Sequence, residues 1–345
     1  MTKIKISQAL LLLSFSLLIG CKKDEKVTVL TENYKGVYVI NEGGFQKSNG
    51  SIGLYKPGTG EYFDAFQKAN DLPLGDVVQS MIATNQFFYI VVNNSNKIEV
   101  VNKETFKKAF TIPLNSPRYL FPLSATKAYV SHLFSNEVSI IDLNTNIKSG
   151  TININHWSEH FAKLDKKVLV GTNSSQLMVI NSETDLLADS IMIGKGLSKI
   201  LNISETKVAV LSTGDLDWSS GNVLENGKLS FINKDSNKVE KSISLSTGSY
   251  GGSMTFNATN QTIYLSLGGT KIYQYTETGG LVEYLTLNTG ESVYGLAVNP
   301  SNGDLYITDA GDFNSNGKVY IYDVNKNRIK VIEAGIVPNG ILFNE

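Results

Sequence analysis

Short apolar runs alternate with polar turns along this chain, and the alternation itself repeats. Seven apolar strands each carry one column residue: Tyr38, Tyr89, Tyr129, Leu169, Ala209, Tyr264 and Tyr306. Successive columns lie 51, 40, 40, 40, 55 and 42 residues apart. Behind each comes a polar loop and a second strand: SIGLY from Ser51, KIEVVN from Lys97, EVSIID from Glu137, QLMVIN from Gln176, KLSFIN from Lys228, KIYQY from Lys271 and KVYIYD from Lys318. A strand-rich unit of this period buries its apolar face only by stacking on its neighbours, which predicts propeller blades. The third unit shows four strands at about Arg118–Leu123, Ala128–His132, Glu137–Asp142 and Ser149–Ile154. The expected fold is all-β, a seven-bladed β-propeller over residues 34–345 in one domain.

The ends predict how the ring closes. Gly36-Val37-Tyr38-Val39-Ile40 matches second strands elsewhere, so the first unit lacks a first strand. Val337-Pro338-Asn339-Gly340-Ile341-Leu342-Phe343 matches first strands such as Ser116-Pro117-Arg118-Tyr119-Leu120. The C-terminal strand is expected to pair beside the N-terminal one and complete blade 1, leaving no long exposed edge. Antiparallel strands A to D alternate in direction, so the B–C and D–A connections share one face. That face receives the long insertions Asn41–Gly50, Thr213–Gly227 and Thr308–Gly317. Long loops on a rigid scaffold are the usual place for binding, and this face is called the top.

Aligning the seven inner strands places Val78, Pro117, Trp157, Leu197, Gly252, Tyr294 and Pro338 at the channel rim. The next position holds Gln79, Arg118, Ser158, Ser198, Ser253, Gly295 and Asn339. Polar groups on otherwise apolar strands point to a wet channel, since buried ones need partners. Amides, hydroxyls and aromatic rings with little charge suit a large neutral polar ligand. The candidate contacts are Gln79, Arg118, Trp157, Trp218, Tyr294 and Asn339. Rim and loop residues that merely satisfy turns are the structural alternative.

Composition narrows the function. The formal charge is −1, and only Arg118 and Arg328 are arginines, which argues against a nucleic-acid partner. Lys3 and Lys5 precede an apolar run from Leu10 to Ile19, the length of a signal-peptide core and too short for a membrane span. Residues 1–20 therefore read as a signal peptide. Leu18-Ile19-Gly20-Cys21 resembles the lipobox of bacterial lipoproteins, which implies lipidation of Cys21. Residues 21–33 then form the lipidated cysteine and a polar tether. Lys22, Asp24 and Glu25 resemble the export signal of surface-displayed lipoproteins. Cys21 is the only cysteine, which excludes an internal disulfide and a thiolate metal cluster.

Motifs of known chemistry are missing: no GxSxG, no CxxC, no HExxH and no phosphate loop. His156 and His160 flank Trp157 with Glu159 between them, but four-residue spacing converges on a helix and this stretch reads as loop and strand. Asp312-Phe313-Asn314-Ser315-Asn316-Gly317 resembles the first half of a calcium loop, with Asp323 at the twelfth position, yet its flanks read as strands. A turn rich in asparagine and glycine accounts for it equally. No cofactor is assigned and the chain is read as a non-enzyme.

Leu74–Met81 (LGDVVQSM), Val91–Ser95 (VVNNS), Ser116–Tyr119 (SPRY), Tyr294–Pro300 (YGLAVNP) and Val39–Phe45 (VINEGGF) resemble YncE-like seven-bladed propeller lipoproteins of Gram-negative gut bacteria. The resemblance spans about residues 34 to 345. Some members of that group bind cobalamin at the cell surface and pass it to a TonB-dependent transporter. The implied function is an outer-membrane, surface-exposed lipoprotein that captures a large polar small molecule, a corrinoid among the candidates. The alternatives are a scaffold for protein or glycan at the cell surface and a metal-dependent propeller enzyme.

Overall fold

Seven four-stranded antiparallel sheets form the ring in a computed structural model that describes residues 32–245 and 252–345. The expectations for residues 1–20 and for Cys21 lie outside the described residues. Among the described residues, no helix is long and apolar enough to cross a membrane.

Closure follows the expected pairing. Strand Pro338–Asn344 lies beside Gly36–Asn41, with Gly36 opposite Asn344, Tyr38 opposite Leu342 and Asn41 opposite Pro338. Blade 1 is thus built from both ends of the domain, and its remaining strands are Ser51–Lys56 and Glu61–Asp64. Two more bonds extend the latch: Glu42 donates its N–H to the Val337 carbonyl (2.9 Å) and Gly43 to that of Ile336 (3.0 Å).

All seven column residues are buried, in second strands whose both faces pack against neighbouring blades. Each fully buried aliphatic side chain contributes about 1.5–3 kcal/mol on transfer from water. The tyrosines also join blades. Tyr89 of blade 2 donates to Asn146 Oδ1 of blade 3 (2.7 Å), and Tyr129 of blade 3 to Asp185 of blade 4. Tyr38 of blade 1 stacks on Phe106 of blade 2, with centroids 5.3 Å apart. Phe106, Asn146 and Asp185 occupy the same left-handed corner of the C–D turn, with φ of 55°, 56° and 56°. One repeated backbone corner therefore receives the column ring of the preceding blade.

Two departures from the expected spacing explain the two long intervals. Between Tyr38 and Tyr89 the outer strand of blade 1 stops after four residues and a helix, Ala65–Asn70, fills the wedge toward blade 2. Asp64 caps it, accepting from the N–H groups of Phe66 and Gln67 (both 3.0 Å). Between Ala209 and Tyr264 the segment expected as a loop, Thr213–Gly227, is mostly paired strand. Lys207–Leu216 and Val223–Asn233 continue their ladder through Gly214–Asn226, Asp215–Glu225 and Leu216–Val223. An extended pair satisfies its own backbone groups outside the ring, which a long open loop would leave to water.

Candidate functional site

A repeated irregularity re-aims side chains toward the axis. In blades 1 to 5 the inner strand carries two residues opposite one on its neighbour, near the top. The doubled positions are Asn339/Gly340, Gln79/Ser80, Arg118/Tyr119, Glu159/His160 and Ser198/Lys199. Blades 6 and 7 pair regularly there. A bulge breaks the strict in–out alternation, so consecutive side chains are turned from their usual directions. Just before it the chain passes through left-handed backbone at Val77 (φ 56°), Ser116 (41°), Gly196 (70°) and Val337 (53°). For the β-branched Val77 and Val337 this is an unusual conformation, held by bonds from Asn93 N–H (2.8 Å) and Glu42 N–H (2.9 Å) to their carbonyls.

The bulges surround a central cavity of about 490 Å³ to which every blade contributes, including Gln79, Arg118, His160, Lys199, Ser253, Tyr294 and Asn339. A second cavity of about 650 Å³ lies above it, walled by Phe45, Lys47, Asn93, Phe313 and Asn314. Glu42, Val77 and Arg118 line both, so they stand at the junction.

A polar network ties the walls together. Arg118 Nε donates to Glu159 Oε2 (3.0 Å), and its Nη1 donates to Gln79 Oε1. Gln79 Nε2 donates to the Tyr119 hydroxyl (3.1 Å). On the opposite wall Asn339 Nδ2 donates to Glu42 Oε1 (2.8 Å) and to the Gln79 carbonyl (3.0 Å). The Tyr294 hydroxyl donates to the same Glu42 oxygen (3.3 Å), and its ring meets Phe313 edge-on.

Burial sets the charge states. It pushes the Glu42 carboxyl up, against the opposing pull of the Asn339 bond, Arg118 and Tyr294. Burial also pulls on the Arg118 guanidinium, but Glu159, Tyr119 and Glu42 outweigh it and leave Arg118 above its ordinary value. The His160 imidazole is held well below the usual range by burial, with Lys199 and Arg118 adding to the effect, so it is neutral at pH 7. The Lys199 ammonium is pulled down to about 8 by burial, opposed by Glu159.

Of the six expected contacts, the structure brings Gln79, Arg118, Tyr294 and Asn339 together around the cavity. The two tryptophans stand elsewhere. Trp157 is 36% exposed and meets Phe134 edge-on, and Trp218 is 66% exposed at the tip of the long hairpin. In blade 4 the expected ring is off by one position. Trp157 accepts from Asn173 N–H (3.2 Å) just as Ser116 accepts from Leu133 N–H (2.9 Å), so Trp157 corresponds to Ser116. Ser158 is buried, its Oγ accepting from His132 N–H (2.9 Å), and Glu159 takes the channel position. The cause is a shorter hairpin: Leu164 pairs directly with Lys167, whereas blade 3 spans Leu123 to Lys127. Glu42, Tyr119, His160 and Lys199 line the cavity and Glu159 holds Arg118, though none was among the expected contacts; Tyr119, Glu159, His160 and Lys199 stand at bulges that have no signature in the apolar pattern.

Further polar side chains have structural roles. His132 is a core residue, its ring bonded to the Asn115 carbonyl (2.6 Å) and Ser139 Oγ (2.8 Å). Asp312 caps its own turn, accepting from the N–H groups of Asn314 (2.9 Å) and Ser315 (2.7 Å). Asp323 does the same for Asn325 and Asn327 in the C–D turn at the other end of the blade, so the two do not share a calcium loop. Among the described residues, no three His, Cys, Asp or Glu side chains converge as a metal site.

The fold and cavity define a class: a seven-bladed β-propeller with a polar central channel widening toward one face. The chain belongs to the family of domain of unknown function DUF5074, whose model matches residues 35–343. No curated protein matches it. Among solved structures it is similar to a quinoprotein alcohol dehydrogenase-like protein of Bacteroides thetaiotaomicron VPI-5482, at 18% identity and a TM-score of 0.67 over 91% of this chain and 79% of that one. Kuenenia stuttgartiensis hydrazine synthase is similar at 15% identity and a TM-score of 0.63, over 77% and 92% of the two chains. Dihydro-heme d1 dehydrogenase NirN is similar at 11% identity and a TM-score of 0.60, over 88% and 68%. These likenesses are of fold.

Proposed function

We propose that this protein is a non-enzymatic capture module, anchored to the outer membrane by lipid on Cys21 and exposed at the cell surface, that binds a polar small molecule in the channel and its upper vestibule. The observation that carries this reading is the convergence of all seven blades on one cavity lined by amide, hydroxyl, phenol and charged groups. Such a wall offers both donors and acceptors in a partly dry setting, where each matched hydrogen bond is worth about 0.5–1.5 kcal/mol net. The vestibule adds the rings of Phe45 and Phe313. A corrinoid, as in the YncE-like group, fits this chemistry through its amide-rich rim, and a TonB-dependent transporter is the proposed recipient. Calorimetric titration of detergent-solubilised protein with cobalamin tests it. Saturable binding that falls at least tenfold in Gln79→Ala or Asn339→Ala is expected. Wild-type protein that gives no heat with cobalamin overturns the corrinoid assignment.

A second reading, a surface scaffold for a macromolecule, draws on the long hairpin, which carries Trp218 and Leu224 at 66% and 65% exposure. Recovery of one membrane protein by wild type, lost in Trp218→Ser with cobalamin binding unchanged, would favour it.

A further inference from the structure

We infer that Lys199 anchors an anionic oxygen group, a phosphate or a carboxylate, of the ligand that enters the channel. The inference rests on the reading of the channel as the ligand site and names what the ligand must present there. Two basic side chains, Arg118 and Lys199, line the central cavity. Arg118 is committed to Glu159 and Gln79. Lys199, among the described residues, makes no hydrogen bond and no ion pair. Three donors on a compact ammonium are thus presented to the cavity without an acceptor.

Among the described residues, the polar neighbours of Lys199 in the cavity wall have other partners. The inner strand of blade 4 offers Glu159, already held by Arg118, and His160, which is neutral and packed at a tilt against Tyr119 with centroids 3.9 Å apart. The inner strand of blade 6 offers Ser253, whose Oγ accepts from Leu296 N–H (3.0 Å) and keeps its own hydrogen to donate. Glu42 lies across the channel with Asn339 and Tyr294. Glu159 offsets part of the Lys199 charge, but among the described residues no carboxylate bonds it, and burial still leaves its value depressed near 8. An incoming anion relieves that depression, and a charge-assisted hydrogen bond is about twice as strong as a neutral one. Methionine at this position keeps the stem and removes the charge, and arginine keeps the charge at high pH.

Calorimetric titration with inorganic phosphate and, separately, acetate at pH 6.5 tests the inference, with thermal melts confirming folded variants. Expected is saturable binding of at least one anion by wild type, weakened tenfold or more in Lys199→Met and retained within threefold in Lys199→Arg. Wild-type affinity should fall between pH 7 and 9 while that of Lys199→Arg holds. The stronger anion tells phosphate from carboxylate. Absence of binding to both, or equal binding by Lys199→Met, overturns the inference. Cobalamin binding that survives unchanged in Lys199→Met leaves the channel reading standing and removes only the anchor. Anion binding without cobalamin binding does the reverse.

Discussion

Arg118 of blade 3 reaches sideways to Glu159 of blade 4, Nε to Oε2 at 3.0 Å, while its other arm holds Gln79 of blade 2. One guanidinium thereby joins three consecutive blades at the channel wall. The partners are about four-fifths buried, at 21% and 22% side-chain exposure. Loss of one partner leaves a charge with little water to replace it, whereas loss of both removes the problem. Arg118→Met should therefore cost about 1–3 kcal/mol, between the exposed and fully buried limits. The double variant Arg118→Met/Glu159→Gln should recover part of that loss, as read by urea denaturation.

Glu42 gives a pH signature. Burial raises its folded pKa above the ordinary 4.5, so the folded protein holds the proton more tightly than the unfolded chain. Stability from this group is then full below the unfolded value and declines as pH rises through the folded one. Glu42→Gln should gain stability over wild type at pH 7 and show no gain at pH 4. Denaturation midpoints at the two pH values check the sign.

The tie between blades 2 and 3 is open to a one-atom test. Tyr89→Phe leaves the ring packed and strands Asn146 Oδ1, which is 93% buried with its residue. A loss of about 0.5–1.5 kcal/mol is expected. Leu169→Ile lacks a polar partner to lose and should act through packing alone, typically below about 1.5 kcal/mol.

Cys21→Ser removes the proposed acylation site. The variant should shift from the membrane to the soluble fraction and fail to incorporate labelled palmitate, while keeping the melting temperature of the propeller. Retention at the membrane would show that some other segment holds it.

The ring was legible in the chain because its signals are short-range and repeated. Alternation of two marks each strand, and the mismatch between the first and last units marks the latch. Gln79, Arg118, Tyr294 and Asn339 were legible for the same reason, standing at one polar position on apolar strands. Glu159 was missed because the Leu164–Lys167 hairpin is one residue shorter than its counterpart, which slides blade 4 by one position. Lys199 and His160 were missed because a bulge presents two successive residues where alternation allows one. Trp157 and Trp218 were expected on ring chemistry, but the chain sends one to an edge contact with Phe134 and the other to a hairpin tip. Bulges and turn lengths depend on ladder registers that apolar spacing does not encode.

The place where the domain begins has a consequence for its setting. Tyr34 stacks on Phe106, centroids 5.5 Å apart, and Asn344 bonds its carbonyl, so the chain joins the ring on the side of the C–D turns. Twelve residues, 22 to 33, separate that point from Cys21. The vestibule with Phe45 and Phe313 opens on the opposite face, so a ligand reaches it without passing the strand at which the domain begins.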